Sequence, residues 1–353
     1  MNNYNGYFEN WAVVGYKDNT GIGNQVQYVK QTLRVGSHII FPSKRLSQKE
    51  CVGVDEIVIG SACTDDMLKD ILSNFYGIVV IERNKWHENL LEIANDLHLK
   101  IILIPNWEWF DPNDAAYGFC SAIACPNEFS RYIIQKFGFN NTFLVPPPVR
   151  LKTVKRKNVQ DKATIFIHNA GIVDSDDRKG TILTIKAFIQ VDNPNIKLYV
   201  RAQKEFKIPF NLTDDRVCIQ IKDFSDNSSL YEVGDVAIQP SKMEGIGYNI
   251  LEPTILGMPV ITTNYPPMSG YGNGNLLVEA VISNIYPYPK KRGITHAHLV
   301  EPNLEDIVQK IVYCSQNSVY EHSIKNISWS KKNINSIVES RAWMKVIKFI
   351  EHE

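Results

Sequence analysis

The feature that most constrains this chain of 353 residues is an alternation of short, thoroughly apolar runs with stretches of helical period. In the first half the apolar runs are Trp11–Tyr16, His38–Phe41, Asp55–Gly60, Gly77–Glu82, Lys100–Pro105, Ala122–Pro126 and Thr142–Pro146. Helical periodicity falls between several of them, over residues 24–34, 65–75, 86–98 and 128–138. A strand that is apolar on both sides must be covered on both sides, and helices between such strands supply parallel crossovers. The pattern therefore predicts α/β architecture, with a parallel sheet between two layers of helices. "VPPPVRLKTVKRKN" (Val145–Asn158) then breaks it. Three prolines forbid helix and five basic residues favour solvent, so this stretch reads as a linker.

Beyond the linker the pattern restarts. Strands are predicted at Thr164–Gly171, Ile196–Ala202, Arg216–Ile221, Asp235–Ser241 and Pro259–Asn264, with helices over 179–191, 228–234, 248–256, 303–316 and 333–352. The chain is about twice the length of a common domain. We read two Rossmann-like domains, 1–150 and 151–332, facing each other across a cleft, with the terminal helix 333–353 packing back on the first. In open sheets of this kind ligands bind beyond the carboxyl ends of the strands, so chemistry is sought in the loops there.

Composition excludes some functions. Lys plus Arg and Asp plus Glu are 38 each, so no overall field draws in nucleic acid. The basic run Arg150–Asn158 reads as solvated chain, leaving a peripheral contact with an anionic membrane surface open. Cysteines 51, 63, 120, 125, 218 and 314 have neither CxxC nor zinc-site spacing and are expected reduced and mostly buried. The start, MNNYNGYFENW, lacks the basic-then-apolar pattern of a signal peptide, and the apolar runs are far short of the roughly 20 residues a membrane span needs. A cytoplasmic protein is expected.

The segment "PSKMEGIGYNILEPTILGMPVITT" (Pro240–Thr263) concentrates the chemistry. It reads as a strand end, a loop and a helix stopped by Gly257, which puts Gly245 and Gly247 at a helix N-terminus. Amides there lack helical partners and carry the positive end of the dipole, so they suit a diphosphate, and glycine permits close approach. Glu252, further along the helix, can offer its carboxylate to the vicinal hydroxyls of a ribose; Glu244, in the loop, can reach a sugar beyond the diphosphate. The same residues also fit a plainer arrangement, a Gly-rich turn with Glu252 serving Asn249 or the first-turn amides in a capping box.

The order of residues resembles the signature of the retaining nucleotide-sugar glycosyltransferases of GT-B architecture, the glycosyl transferases group 1. Pro240, Ser241, Glu244, Gly245, Gly247, Leu251, Glu252, Gly257, Pro259, Val260 and Ile261 match it, while Ile246 replaces a common aromatic and Pro253 a usual alanine. The resemblance implies that Glu244 contacts the donor sugar, that the backbone from Gly245 through Ile246 and Gly247 to Tyr248 holds sugar and diphosphate, and that Glu252 holds the ribose. "HNAGIVDSDDRKGTILTIKAF" (His168–Phe188) resembles the family's phosphate-binding strand, loop and helix. Lys179 would offset the charge of the leaving diphosphate; where the family often has arginine this chain has Ile172, so Arg178 or Arg201 is expected to substitute.

In the first domain "GYKDNTGIGNQV" (Gly15–Val26) resembles the family's glycine loop, with Gly21 and Gly23 approaching the donor. Asn106, Trp107 and Glu108, with Trp109 beside them, suit an acceptor pocket, since aromatic faces pack on sugars while the amide and carboxylate bind hydroxyls; core packing of the tryptophans is the other reading. At the strand end where many members carry a histidine stand Glu82 and Arg83, with His87 offset. Tyr265 to Met268 match a donor-side loop of some members.

Asp174-Ser175-Asp176 matches the acidic triplet of metal-dependent transferases, but acids are favoured where a loop enters a helix. His168, His296 and His298 lack further ligands in the sequence around them, so no metal and no cofactor is expected. The implied reaction is transfer of a sugar, a hexosyl group of the EC 2.4 class, from a nucleoside-diphosphate sugar to a glycan or glycolipid acceptor, with retention. The implied catalytic groups are Glu244, Lys179 and Arg178. Two alternatives stand beside it: a sugar-nucleotide binding protein without turnover, and an NAD-dependent oxidoreductase built on Gly21 and Gly23. The second lacks an acidic residue after the second strand, where only Ser43 is found.

Overall fold

The computed structural model describes residues 6–18, 20–41, 53–60, 62–83, 86–151, 161–222, 227–285 and 296–352. The chain divides into two compact units. One gathers Met1–Val149, Tyr288–Ala297 and Asn335–Glu353; the other gathers Arg150–Pro287 and His298–Ile334. Most of the basic run Arg150–Asn158 lies outside the described residues, as do Ser43 and Cys51.

Unit 1 is built on seven parallel strands: β1 (Trp11–Gly15), β2 (Ser37–Ile40), β3 (Glu56–Val58), β4 (Gly77–Ile81), β5 (Lys100–Ile104), β6 (Ala122–Cys125) and β7 (Thr142–Leu144). Their order is β3-β2-β1-β4-β5-β6-β7, with Val13 opposite His38 on one side and Val79 on the other. Side chains alternate between two cores, which is why the strands carry no polar face. Ala12, Val14, Ile78, Val80, Ile101 and Leu103 meet α2 (Asp65–Leu72), α3 (Leu90–Asp96) and α4 (Glu128–Lys136). Trp11, Val13, Val79, Ile81 and Ile102 meet α1 (Gly21–Leu33) and the C-terminal helix, which contributes Trp343, Val346 and Ile350.

Unit 2 repeats the plan with β8 (Ile165–Gly171), β9 (Lys197–Ala202), β10 (Val217–Ile221), β11 (Val236–Gln239), β12 (Val260–Thr263) and β13 (Leu276–Val278), in the order β10-β9-β8-β11-β12-β13. In both sheets the first strand lies beside the fourth, the doubly wound order whose reversal opens a crevice at the strand ends. One face of the second sheet packs on α5 (Thr181–Ile189) and α7 (Leu304–Gln316) through Phe166, Val200, Ile238, Phe188, Ile307 and Ile311. On the other side α6 (Tyr248–Ile255) meets β11, β12 and α8 (Tyr320–Asn333).

Several elements depart from the sequence expectation. Helix α1 begins at Gly21 rather than at residue 24, because Thr20 caps it by accepting from the Gly23 amide. The helix expected over 228–234 is a short 3-10 turn, Asn227–Tyr231. An antiparallel pair, β14 (Ala280–Ile285) with β15 (His298–Pro302), and the helix α8 are additions, and the C-terminal helix α9 runs Ser336–His352. Among the described residues no helix is long and apolar enough to cross a membrane.

Candidate active site

At the reversal in unit 2 two loops meet, one leaving β8 and one leaving β11. The Lys242 amide donates to the Arg178 carbonyl at 2.7 Å. Gly180 permits this approach: its φ is +68°, and a Cβ there would lie 2.4 Å from the Pro240 carbonyl oxygen. Beneath the loops, fully buried His168 has Nδ1 2.7 Å from the Ile238 carbonyl and Nε2 2.9 Å from the Thr181 hydroxyl. Nδ1 donates and Nε2 accepts in the neutral ring, and burial lowers the pKa from 6.5 to about 4. His168 is thus a neutral strut between β8, β11 and α5.

The loop contact aligns the charges. Glu244, 3% exposed, has its carboxylate oxygens 2.7 and 2.8 Å from Lys179 Nζ, and one of them is 3.3 Å from Arg178 Nη1. The same Arg178 nitrogen donates to the Met243 carbonyl at 2.9 Å. Burial alone would raise the Glu244 carboxyl, but Lys179 and Arg178 hold it below its ordinary value. Burial pulls the Lys179 ammonium down, and Glu244 opposes that pull. An ionised carboxylate faced by two cations results.

Gly247, in the left-handed region at φ +81°, turns the chain into α6, whose start has no side-chain cap. Four positions into the helix after Tyr248, buried Glu252 accepts from the Tyr231 hydroxyl at 2.7 Å through Oε2. Asn249 instead donates to Gln239 Oε1 at 2.9 Å and Ser241 Oγ at 3.3 Å, pinning the helix to the end of β11. The N-cap is Gly247, which has no side chain to supply the reciprocal cap of the plainer reading. Pro253 does stand inside the helix, where it forgoes one backbone bond. Tyr231, which the sequence did not single out, sits in an irregular turn with no periodicity to mark it; its partner is 21 residues away.

Other expected groups are disposed differently. Helix α5 starts with its amides already engaged: Asp177 accepts from the backbone of Thr181 at 2.7 Å, Ile182 at 3.0 Å and Leu183 at 3.4 Å. The positive end of that helix thus faces a carboxylate of its own loop, while Lys179 faces Glu244. Asp174 accepts from the Arg178 amide at 3.0 Å, a helix-entry role for the acidic triplet. Arg201 is buried on β9, opposite Asn169 in register; its Nε donates to Gln220 and its charge lies within reach of Tyr231 and Glu232. Met268 is buried and Tyr265 half-buried. Among the described residues no group of three or more His, Cys, Asp or Glu is placed to hold a metal.

In unit 1 the glycines of the first loop are helical. A Cβ on Gly23 would meet the Asp18 carbonyl at 2.2 Å, whereas one on Gly21 would meet nothing within 4 Å. Gly23 is therefore explained by the Asp18 turn, and Gly21 has open space before it. Asn106 and Glu108 are buried, and the Asn106 amide donates to Glu82 Oε2 at 3.2 Å. Glu82 itself is fully buried at the end of β4 with φ +64°. The Trp107 ring, 1% exposed, packs edge-on against Phe129 with centroids 4.9 Å apart, and the Trp107 carbonyl lies 2.9 Å from His296 Nε2. That ring presents no open face; its environment corresponds to the core-packing alternative.

Residues 155–273, which contain both loops, match the family model described as glycosyl transferases group 1. That segment is similar to the group 1 glycosyltransferases. The fold extends the likeness past the matched segment to nearly the whole chain, and places it with structures of GT-B architecture. A lipopolysaccharide outer core galactosyltransferase, WaaB, aligns over 96% of this chain and 98% of its own, with TM-score 0.64 and 12% identity. A glycosyltransferase from Rickettsia africae aligns over 96% and 98%, with TM-score 0.62 and 13% identity. An E. coli structure of trehalose-6-phosphate bound with UDP-2-fluoro glucose aligns over 96% and 98%, with TM-score 0.61 and 9% identity. A search among curated proteins gives no match.

Proposed function

We propose that this protein is a retaining, metal-independent hexosyltransferase that moves a sugar from a nucleoside-diphosphate sugar to a glycan or lipid-linked acceptor. The observation that carries the reading is the convergence of Lys179 and Arg178 on Glu244, one turn of loop before an uncapped helix start and eight residues before Glu252. A donor entering there offers sugar hydroxyls to Glu244, diphosphate oxygens to the two cations and to the backbone of Gly245 to Tyr248, and ribose to Glu252. The similar structures of a galactosyltransferase and of a complex with UDP-2-fluoro glucose support a hexosyl donor.

The bond between the anomeric carbon and the phosphate oxygen breaks with its electron pair leaving on the diphosphate. Lys179 and Arg178 stabilise that charge, released from Glu244 as its hydroxyl partners arrive. The acceptor oxygen attacks from the same face and gives its proton to a phosphate oxygen, so the anomeric configuration is kept without a side-chain base. The enzyme supplies positioning and electrostatics.

Thermal shifts with UDP, GDP, CDP, dTDP and NAD, with and without EDTA, test the reading. One nucleoside diphosphate should stabilise the wild type regardless of EDTA and fail to stabilise Glu252→Ala or Lys179→Ala; hydrolysis and transfer assays with its sugar conjugates then separate turnover from binding. A shift with NAD alone, or one that EDTA removes, overturns the proposal.

A further inference from the structure

The Tyr231 hydroxyl and the Glu252 carboxylate form a buried pair, 2.7 Å apart, between the 3-10 turn that precedes β11 and the helix that follows it. Tyr231 is 2% exposed, and so is Glu252. A carboxylate on two methylenes can turn about its last bond, and a strong donor from a buried phenol restricts the plane in which its oxygens lie. Arg201 is buried on β9, and its charge interacts with Tyr231. Donor and acceptor come from different elements, the turn ahead of β11 and helix α6, so the carboxylate is held by a tertiary contact rather than by its own helix alone.

We propose that Tyr231 is a positioning residue of the donor site: by holding Oε2 of Glu252 it sets the carboxylate plane that recognises paired ribose hydroxyls and thereby selects ribonucleotides over 2′-deoxyribonucleotides. This rests on the assignment of Glu252 to the ribose. A carboxylate held square to two adjacent hydroxyls accepts from both; one free to rotate accepts from either and loses little when one is removed. Selectivity for the 2′-hydroxyl, rather than affinity as such, is the property that Tyr231 contributes.

The experiment is calorimetric titration of wild type, Tyr231→Phe and Glu252→Ala with UDP, GDP, CDP and ADP and with their 2′-deoxy counterparts. Wild type should bind one ribonucleotide at least ~10-fold tighter than its deoxy form, about 1.4 kcal/mol. Tyr231→Phe should cut that ratio below ~3-fold while leaving affinity for the deoxy form within ~2-fold, a pattern that a merely structural loss does not give. With turnover, the donor KM should rise more than kcat falls. An unchanged ratio in Tyr231→Phe overturns the inference while leaving the ribose assignment intact. A wild type that ignores the 2′-hydroxyl overturns both. Should Tyr231→Phe not fold, 3-fluorotyrosine at position 231 preserves the ring: its fluorine resonance should move differently with the ribonucleotide and its deoxy form, and identical movement overturns the inference.

Discussion

Lys179 Nζ sits 2.7 Å from one carboxylate oxygen of Glu244 and 2.8 Å from the other, so a cation from the β8 loop and an anion from the β11 loop neutralise each other where the two strands part. Removing one partner strands a buried charge. Lys179→Met should cost about 3 kcal/mol, the low end for a broken buried pair, because Arg178 remains beside the carboxylate. Pairing it with Glu244→Leu should restore most of that stability in urea titrations without restoring transfer. Equal destabilisation in the single and double variants would mean that the pair is not what holds the loops.

The neutral His168 gives stability a pH dependence. Its folded pKa is about 4 against 6.5 for the free side chain, so below 6.5 the unfolded chain takes up a proton that the native ring refuses. The native state is unpenalised above about 6.5, loses stability as pH falls, and the loss levels off near 4; the total is on the order of 3 kcal/mol. Buried His38, also lowered to about 4 by burial, adds a second contribution of the same sign. Unfolding midpoints of His168→Gln between pH 7 and pH 4 should therefore show roughly half the wild-type slope. A slope identical to wild type would show that the ring is protonated in the fold.

The Lys179–Glu244 pair also marks what the sequence disclosed. Glu244 and Lys179 were legible because the residue order around each is distinctive, and the strands were legible because parallel strands covered on both faces leave unbroken apolar runs. Helix α8 was not legible for a physical reason: its buried face is Ser323, Asn326 and Ser330. Ser323 donates to the Gly257 carbonyl, and Asn326 donates to the Met258 carbonyl while accepting from the Gly274 amide. The helix docks through hydrogen bonds to loop backbone, and so carries none of the apolar period by which helices are read. Pattern reading likewise could not foresee that Asp177 would fill the start of α5, since that depends on how the loop folds back.

The glycines of the two domains should behave oppositely. Gly180→Ala meets a backbone oxygen at 2.4 Å in a left-handed conformation, so strain alone is about 1–2 kcal/mol and the loops must separate besides. Melting temperature and activity should fall together. Gly21→Ala has open space in a helix's first turn and should be neutral or stabilising by up to about 1 kcal/mol. If it leaves stability intact yet abolishes donor binding, Gly21 serves a ligand rather than the helix.

Trp107 decides between an acceptor platform and a core residue. Its ring is buried against Phe129, and deleting so large a buried side chain costs about 3–5 kcal/mol. Trp107→Ala should therefore lower the urea midpoint steeply, while Trp107→Phe, which keeps much of the packing, should fold and keep its acceptor KM within ~2-fold. A platform behaves otherwise: its removal spares stability and raises the acceptor KM selectively, because a ring that stacks on sugar must be open to solvent before the sugar arrives. Measured side by side, the midpoint and the KM separate the two roles, and a selective KM effect in Trp107→Phe would return the ring to the acceptor site.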